Sequence, residues 1–282
     1  MAAKLFRLLR HPSRLRRAIT SRVRAMPFRL GLASAWPGTY VSYVPDRYGV
    51  NVAAYRARGG MMRPAFLKKF LQGNGANNRG DLPRFYFLGL VIDQIVKEKI
   101  KGDIAEVGVY KGNTASLLAE LARRMGCTAY LFDTFQGFSE KDITGVDAHV
   151  DGHAFSDTSL AAVRALVGEQ NVRFLPGYFP ETAAGMPGDA VFSLVHIDCD
   201  LYAPFHAALH YFYPRLMPGG FLIMHDYSSL YWDGAEKAAD EFFADKPEKL
   251  IPSPDKSGTA VIRKMRARPA IASNQLGDRL LE

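Results

Sequence analysis

The sequence is poor in cysteine: Cys127 and Cys199 are the only two among 282 residues, and no C-x-x-C pair occurs. That excludes a disulfide framework and a structural zinc site of ordinary ligand spacing. Both thiols are expected to serve as small apolar residues near strands, in a reducing compartment. No apolar run approaches the roughly 18 residues a membrane-spanning helix requires. Internal repeats and low-complexity blocks are also missing, which removes solenoid architectures. Acids are absent from the first 45 positions, which hold nine Lys and Arg; Asp46 is the first acid.

The formal net charge of +8 therefore belongs to that opening segment. The remainder carries 27 basic residues against 28 acidic ones, a net of −1. A surface that tracks a nucleic-acid backbone needs basic groups spread along it, so nucleic acid is not an expected partner. The opening MAAKLFRLLRHPSRLRRAITSRVRAMPFRL alternates Leu, Phe, Ile and Val with Arg and is interrupted by Pro12. It lacks the uninterrupted apolar core of a secretory signal. Three readings of this basic tail, residues 1–30, stay open: a solvated extension, a cationic amphipathic helix on an anionic membrane, and an organelle transit peptide. The expected location is cytoplasmic, with peripheral membrane contact through the tail as the alternative.

Residues 31–82 are rich in Gly, Pro, Tyr and Asn and show only short helical pieces, one expected around 64–71. Their low periodicity reads as a lid or adaptor rather than an independent core. From Pro83 the pattern changes. In PRFYFLGLVIDQIVKEKI, Leu88, Val91, Ile92, Ile95 and Val96 follow the spacing of one buried helical face, and Gly102 ends it. Short apolar runs then alternate with helical stretches. Strands are expected over 103–109, 128–133, 172–177, 192–198 and 220–226, with helices near 113–125, 158–168, 203–215 and 234–244. Nearly continuous apolar strands in such alternation predict an α/β, doubly wound, Rossmann-like fold with a mostly parallel sheet. EKLIPSPDKSGTAVIRK adds two β-like runs around a turn, an antiparallel C-terminal hairpin that makes the sheet seven-stranded. The domain is expected over 83–266, with a loose tail at 267–282.

Ligands gather at the carboxyl ends of strands in an open α/β sheet. The first strand runs into Glu106-Val-Gly108-Val-Tyr110-Lys111-Gly112, whose two glycines would let the backbone turn tightly under a ligand. A dinucleotide site favours G-x-G-x-x-G with a pyrophosphate at the helix start. Here the pattern is E-x-G-x-x-x-G, with an acid where a phosphate would be repelled. An amino-acid-bearing cationic cofactor fits better than NAD, although structural turns also use such glycines. The second strand ends at Asp133, 27 residues after Glu106. An acid there suits the two ribose hydroxyls of an adenosine; its alternative role is to cap the next turn. Thr134 to Phe138 would supply aromatic surface beside the adenosyl group.

The fourth and fifth strands end in His196-Ile197-Asp198 and His225-Asp226-Tyr227. If they are neighbours, Asp198, His225 and Asp226 converge. Such donors suit magnesium or a similar divalent ion that grips a substrate hydroxyl. Asp198, or His225 as a neutral imidazole, would take the proton. The alternative is that the acids cap following helices.

IAEVGVYKGNTA, YLFDTFQGF, VRFLPGYFPET, HIDCDLYAPFHAALHYFYPRLMPGGFLIMHDYSS and GAEKAADEFF together resemble the macrocin O-methyltransferase family of class I methyltransferases. The resemblance covers roughly residues 83–265. It implies S-adenosylmethionine as cosubstrate, magnesium as metal, and a hydroxyl of a sugar, glycan or glycosylated metabolite as acceptor. By it, Glu106 and Gly108 line the methionine end of the cofactor, Asp133 binds the ribose, and Asp198 and Asp226 fall on metal positions. Asp198 also borders the cofactor and is the candidate base. One position departs: the family usually has two consecutive acids where this chain has His225-Asp226. Histidine shifts metal preference from magnesium toward manganese, iron or zinc; acting as base without metal and a purely structural role are the other readings of it. A phenol or amine acceptor stays open, as do a homo-oligomer and a non-catalytic, membrane-recruited binding protein.

Overall fold

Five apolar runs become parallel strands because helices cover both of their faces. They are β1 (Asp103–Val107), β2 (Ala129–Asp133), β3 (Val172–Pro176), β4 (Phe192–Ile197) and β5 (Leu216–Met224). All six residues of β4 are buried. The computed structural model describes residues 64–265. The basic tail 1–30, residues 31–63 of the adaptor segment and the C-terminal tail 267–282 lie outside the described residues.

The strand order is β3-β2-β1-β4-β5-β7-β6, where β6 (Ile251–Pro252) and β7 (Ala260–Arg263) run antiparallel and complete the seven strands. Strand β5 begins at Leu216 rather than Gly220, because Leu216 pairs with Phe192 ahead of a register shift. The helices are α1 (Pro64–Leu71), α2 (Gly75–Asn78), α3 (Leu82–Glu98), α4 (Asn113–Met125), α5 (Leu160–Val167), α6 (Tyr202–Phe212) and α7 (Asp233–Phe243). Pro83 sits in the first turn of α3, where its missing N–H has no intrahelical partner to lose. Ser159 caps α5 by accepting from Ala162 N.

Side chains of successive strand residues point to opposite faces. Ile104, Leu194 and Ile223 join the core under α1, α3 and α4. Ala105, Val107, Val195, Ile197, Leu222 and Met224 pack on α6 and α7. Glu106, His196, Asp198 and His225 share the parity of the first set, so the sheet directs them toward the α3 side.

That side includes part of the segment assigned by sequence to the adaptor. Phe70 of α1 is fully buried in one core cluster with Phe85, Leu88 and Ile92 of α3. The Asn113 amide at the start of α4 donates to Lys69 O and Gln72 O at 3.0 and 2.8 Å. Residues 64–82 are thus packed into the α/β core; their short helices bury too few residues each to announce it by periodicity. Among the described residues no helix is long and apolar enough to cross a membrane.

Candidate active site

Strand β1 has β2 on one side and β4 on the other, so the order reverses beside it. A crevice is expected at that switch point. A cavity of about 570 Å³ opens there, within the range of small-molecule sites, and Glu106, Gly108, Asp133, Asp198, His225 and Asp226 all line it. Backbone bonds bring the strand ends level: Gly108 N donates to Phe132 O, Asp198 N to Val107 O, and His225 N to Ile197 O, each at 2.8 or 2.9 Å.

The turn after β1 is held by Asp133. Its Oδ2 accepts from Val109 N and Tyr110 N at 2.6 and 2.8 Å, and its Oδ1 accepts from Phe135 N at 2.6 Å. The carboxylate therefore organises the turn, with part of its acceptor capacity left toward the cavity. The glycines differ in role. A Cβ on Gly108 would lie 1.9 Å from the Asp198 carbonyl oxygen, so glycine is what lets the ends of β1 and β4 meet. Gly112, at φ +78°, backs onto Val163 and Val167 of α5 and is not among the residues lining the cavity. Its place in the motif reflects a left-handed helix entry.

Glu106 is 1% exposed and its Oε1 lies 3.0 Å from His196 Nδ1 on the adjacent strand. Its Oε2 has no partner among the described residues. Burial, and after it the Asp198 carboxylate, pushes Glu106 well above the usual carboxylate range. Burial likewise pushes His196 down to about 3, so its imidazole is neutral. A buried carboxyl with an unpartnered oxygen at a cavity wall suits a cationic donor such as the ammonium of an amino acid. The residues present fit S-adenosylmethionine in that respect.

The second cluster joins β4, β5 and α3. His225 Nδ1 lies 2.7 Å from Asp198 Oδ1 and 2.5 Å from Asp226 Oδ2. Arg84 NH1 lies 3.2 Å from Asp198 Oδ2 and 2.9 Å from His225 Nε2. Arg84 NH2 donates to Asn78 Oδ1 at 3.3 Å, and its Nε is 2.9 Å from Asp81 Oδ2. Burial alone would raise Asp198, but the proton on His225 Nδ1 beside it and the Arg84 guanidinium hold it far below the carboxylate range. Burial, with Asp226 and Asp198 close by, pushes Asp200 well above that range. For His225, burial works against the charged ring, yet Asp198 and Asp226 favour it strongly. The hydrogen-bond geometry decides otherwise. Arg84 only donates, so its 2.9 Å contact is a hydrogen bond when Nε2 accepts, with Asp81 Oδ2 farther off at 3.9 Å; the ring's proton then sits on Nδ1 beside the two carboxylates.

Asp198, His225 and Asp226 place one potential ligand atom each within 4.8 Å of one another. They nevertheless do not fit a divalent ion bound through His225. A ligating imidazole turns a bare nitrogen to the metal and donates its other N–H to an acceptor. Here the other nitrogen lies 2.9 Å from a guanidinium nitrogen, with the Asp81 carboxylate at 3.9 Å, beyond hydrogen-bond reach.

The family model for macrocin O-methyltransferases (TylF) matches residues 82–254. The chain belongs to this family. Two curated relatives are a Streptomyces olivaceus 8-demethyl-8-(2,3-dimethoxy-alpha-L-rhamnosyl)-tetracenomycin-C 4'-O-methyltransferase and a Micromonospora griseorubida mycinamicin III 3''-O-methyltransferase. The first is 33% identical over 52% of this chain and 61% of its own length. The second is 31% identical over 48% of this chain and 59% of its own. The chain thus spans about three fifths of the length of these relatives. In fold it is similar to the O-methyltransferase NovP, at TM-score 0.56 and 24% identity over 65% of this chain and 80% of that one. It is also similar to the calicheamicin methyltransferase CalS11, at TM-score 0.53 and 20% identity over 79% and 95%.

Within this macrocin O-methyltransferase fold, sequence reasoning missed Arg84, Asp81 and Asn78. Arg84 stands four residues before Leu88, on the same stripe as the buried apolar face of α3. A charge at a core position of a helix is the signal that could have found it. Phe135, expected beside the adenosyl group, is instead buried against Val109 and Leu131, while Phe138 lines the cavity.

Proposed function

We propose that this chain transfers a methyl group from S-adenosylmethionine to a hydroxyl of a sugar or glycosylated metabolite. The observation that carries the reading is the meeting of Glu106, Asp133 and Asp198, from three neighbouring strand ends, on one cavity. Family membership supports it, and the two curated relatives, named as O-methyltransferases of glycosylated compounds, support the acceptor class. Bound S-adenosylmethionine supplies a sulfonium-activated methyl; transfer breaks its carbon–sulfur bond, leaves that pair on sulfur and forms the carbon–oxygen bond.

The chain's residues position and deprotonate. Glu106 Oε2 would take the amino-acid ammonium, and the free capacity of Asp133 would take ribose hydroxyls. Asp198 is the most accessible of the β4–β5 trio, with a side chain 20% exposed against 8% for His225 and 5% for Asp226. Both ring nitrogens of His225 are engaged, which leaves Asp198 as the base and His225 as the group that orients it. An acceptor oxygen that is gaining a methyl becomes oxonium-like, and its proton is then acidic enough for a low-pKa carboxylate to accept. Most of the acceleration would come from alignment. Phe138, Phe155 and Trp232, with ring centroids 5.4 to 5.9 Å apart, form an aromatic wall suited to the C–H face of a sugar ring.

The test is incubation of the full chain with S-adenosylmethionine and a panel of glycosides, phenols and amines, read by mass spectrometry. A singly methylated glycoside is the expected product. A methylated phenol or amine would replace the acceptor class, and cofactor binding with no product from any panel member would favour the non-catalytic reading. Asp133→Ala should weaken S-adenosylhomocysteine binding by about 1–3 kcal/mol, since donors of the turn and the cofactor lose one acceptor together. Calorimetry on both proteins checks this; equal affinities would remove Asp133 from the site.

A further inference from the structure

We propose that the Arg84 guanidinium takes the place of a divalent cation in this site, so that the chain binds no metal at Asp198, His225 and Asp226 and works without one. Three observations converge on this. The first is position. Arg84 NH1 contacts both Asp198 and His225 at 3.2 and 2.9 Å, reaching from α3 across 114 and 141 residues of sequence. It is 6% exposed and borders the same cavity. A buried, permanently protonated group already supplies positive charge against the acids.

The second is donor chemistry. For His225 to ligate through Nδ1, its proton must move to Nε2, where it would meet the Arg84 N–H head-on. Two donors would then face each other at 2.9 Å, and the one carboxylate near Nε2, that of Asp81, stands 3.9 Å away and already faces Arg84 Nε, which disfavours that state. With the proton on Nδ1, Arg84 NH1 donates to Nε2 and Nδ1–H donates to Asp226 Oδ2 at 2.5 Å, with Asp198 Oδ1 2.7 Å from the same nitrogen.

The third is spacing. Neighbouring ligands about 2.1 Å from an octahedral ion stand about 3 Å apart. The Nδ1 distances of 2.7 and 2.5 Å are shorter than that and are hydrogen-bond lengths. The trio is closed on a proton. Asp81 and Asn78 brace the guanidinium from behind, at 2.9 and 3.3 Å, which fixes the cation as a metal's ligand cage would.

The inference rests on the methyl-transfer reading only in naming the oxygen that Arg84 faces. Its test needs no acceptor, so its failure is distinguishable from failure of that reading. The full chain is titrated with MnCl₂, and free Mn²⁺ is followed by electron paramagnetic resonance. The wild type should bind no Mn²⁺ tighter than about 1 mM, the weak limit for oxygen-ligand sites. The double variant Arg84→Met, His225→Asp removes the cation and supplies a third carboxylate, and should bind at least about tenfold tighter. S-adenosylhomocysteine binding by each protein reports that its fold persists. Should the double variant not fold, His225→Asp alone is the second arm, with Mn²⁺ affinity above that of the wild type expected. Micromolar Mn²⁺ binding by the wild type would overturn the proposal whatever the variants do. So would a folded double variant, or in its place a folded His225→Asp chain, that binds Mn²⁺ no better than the wild type.

Discussion

Asp198→Asn should lower turnover about 10²- to 10⁴-fold, the usual span for loss of a general base, while S-adenosylhomocysteine affinity stays nearly unchanged. The substitution keeps size and shape, so the β1–β4 backbone contact at Asp198 is undisturbed. What changes is acceptor count. In the wild type, Oδ2 accepts from Arg84 and Oδ1 lies 2.7 Å from His225 Nδ1. An amide offers one oxygen to those two donors, and its NH₂ has to face the other. The side chain can then neither orient itself as before nor receive a proton. Single-turnover kinetics on the acceptor found by the product screen measures the fall, and a urea midpoint on the same preparation separates it from unfolding. A fully active Asn variant would remove Asp198 as the base, and the roles given to its neighbours would go with it.

How much of this was legible follows from how local each feature is. The sheet and its helices were, because β4 and the α3 stripe each declare themselves within a few residues through unbroken burial or a 3.6-residue period. The acids were legible for a related reason: Glu106, Asp133 and Asp198 each stand at the end of an apolar run, and in a parallel sheet such ends share one edge. Arg84 was not, because its partners lie more than 110 residues away and nothing in a helix's own period names what it will face. The double duty of Asp133 was half visible. Its capping role was one of two readings, and the structure shows three backbone donors on it while it still borders the cavity. Gly112 illustrates why the rest was not legible: a glycine required by backbone conformation and one required by a ligand look alike in sequence.

Gly108→Ala should be among the most damaging single-methyl changes in the chain. At φ +87° an alanine carries the left-handed penalty, about 1–2 kcal/mol. The new Cβ would also stand 1.9 Å from the Asp198 carbonyl oxygen and 2.5 Å from its carbonyl carbon. Those atoms are backbone at the end of a central strand, so no side-chain rotation relieves the clash. Either β1 and β4 part at their ends, breaking the Asp198 N–Val107 O bond, or the turn re-forms elsewhere. The expected loss exceeds about 4 kcal/mol in urea denaturation, a size reserved for strain or clash in the core. Gly126→Ala is the matched control: its φ is +66° and nothing lies within 4 Å of a Cβ there, so only the conformational penalty should appear. If the two variants unfold at similar urea concentrations, the close approach of β1 to β4 is not what Gly108 secures. If Gly108→Ala folds but loses turnover with its cofactor affinity, the separation of Glu106 from Asp198 is the quantity that glycine sets.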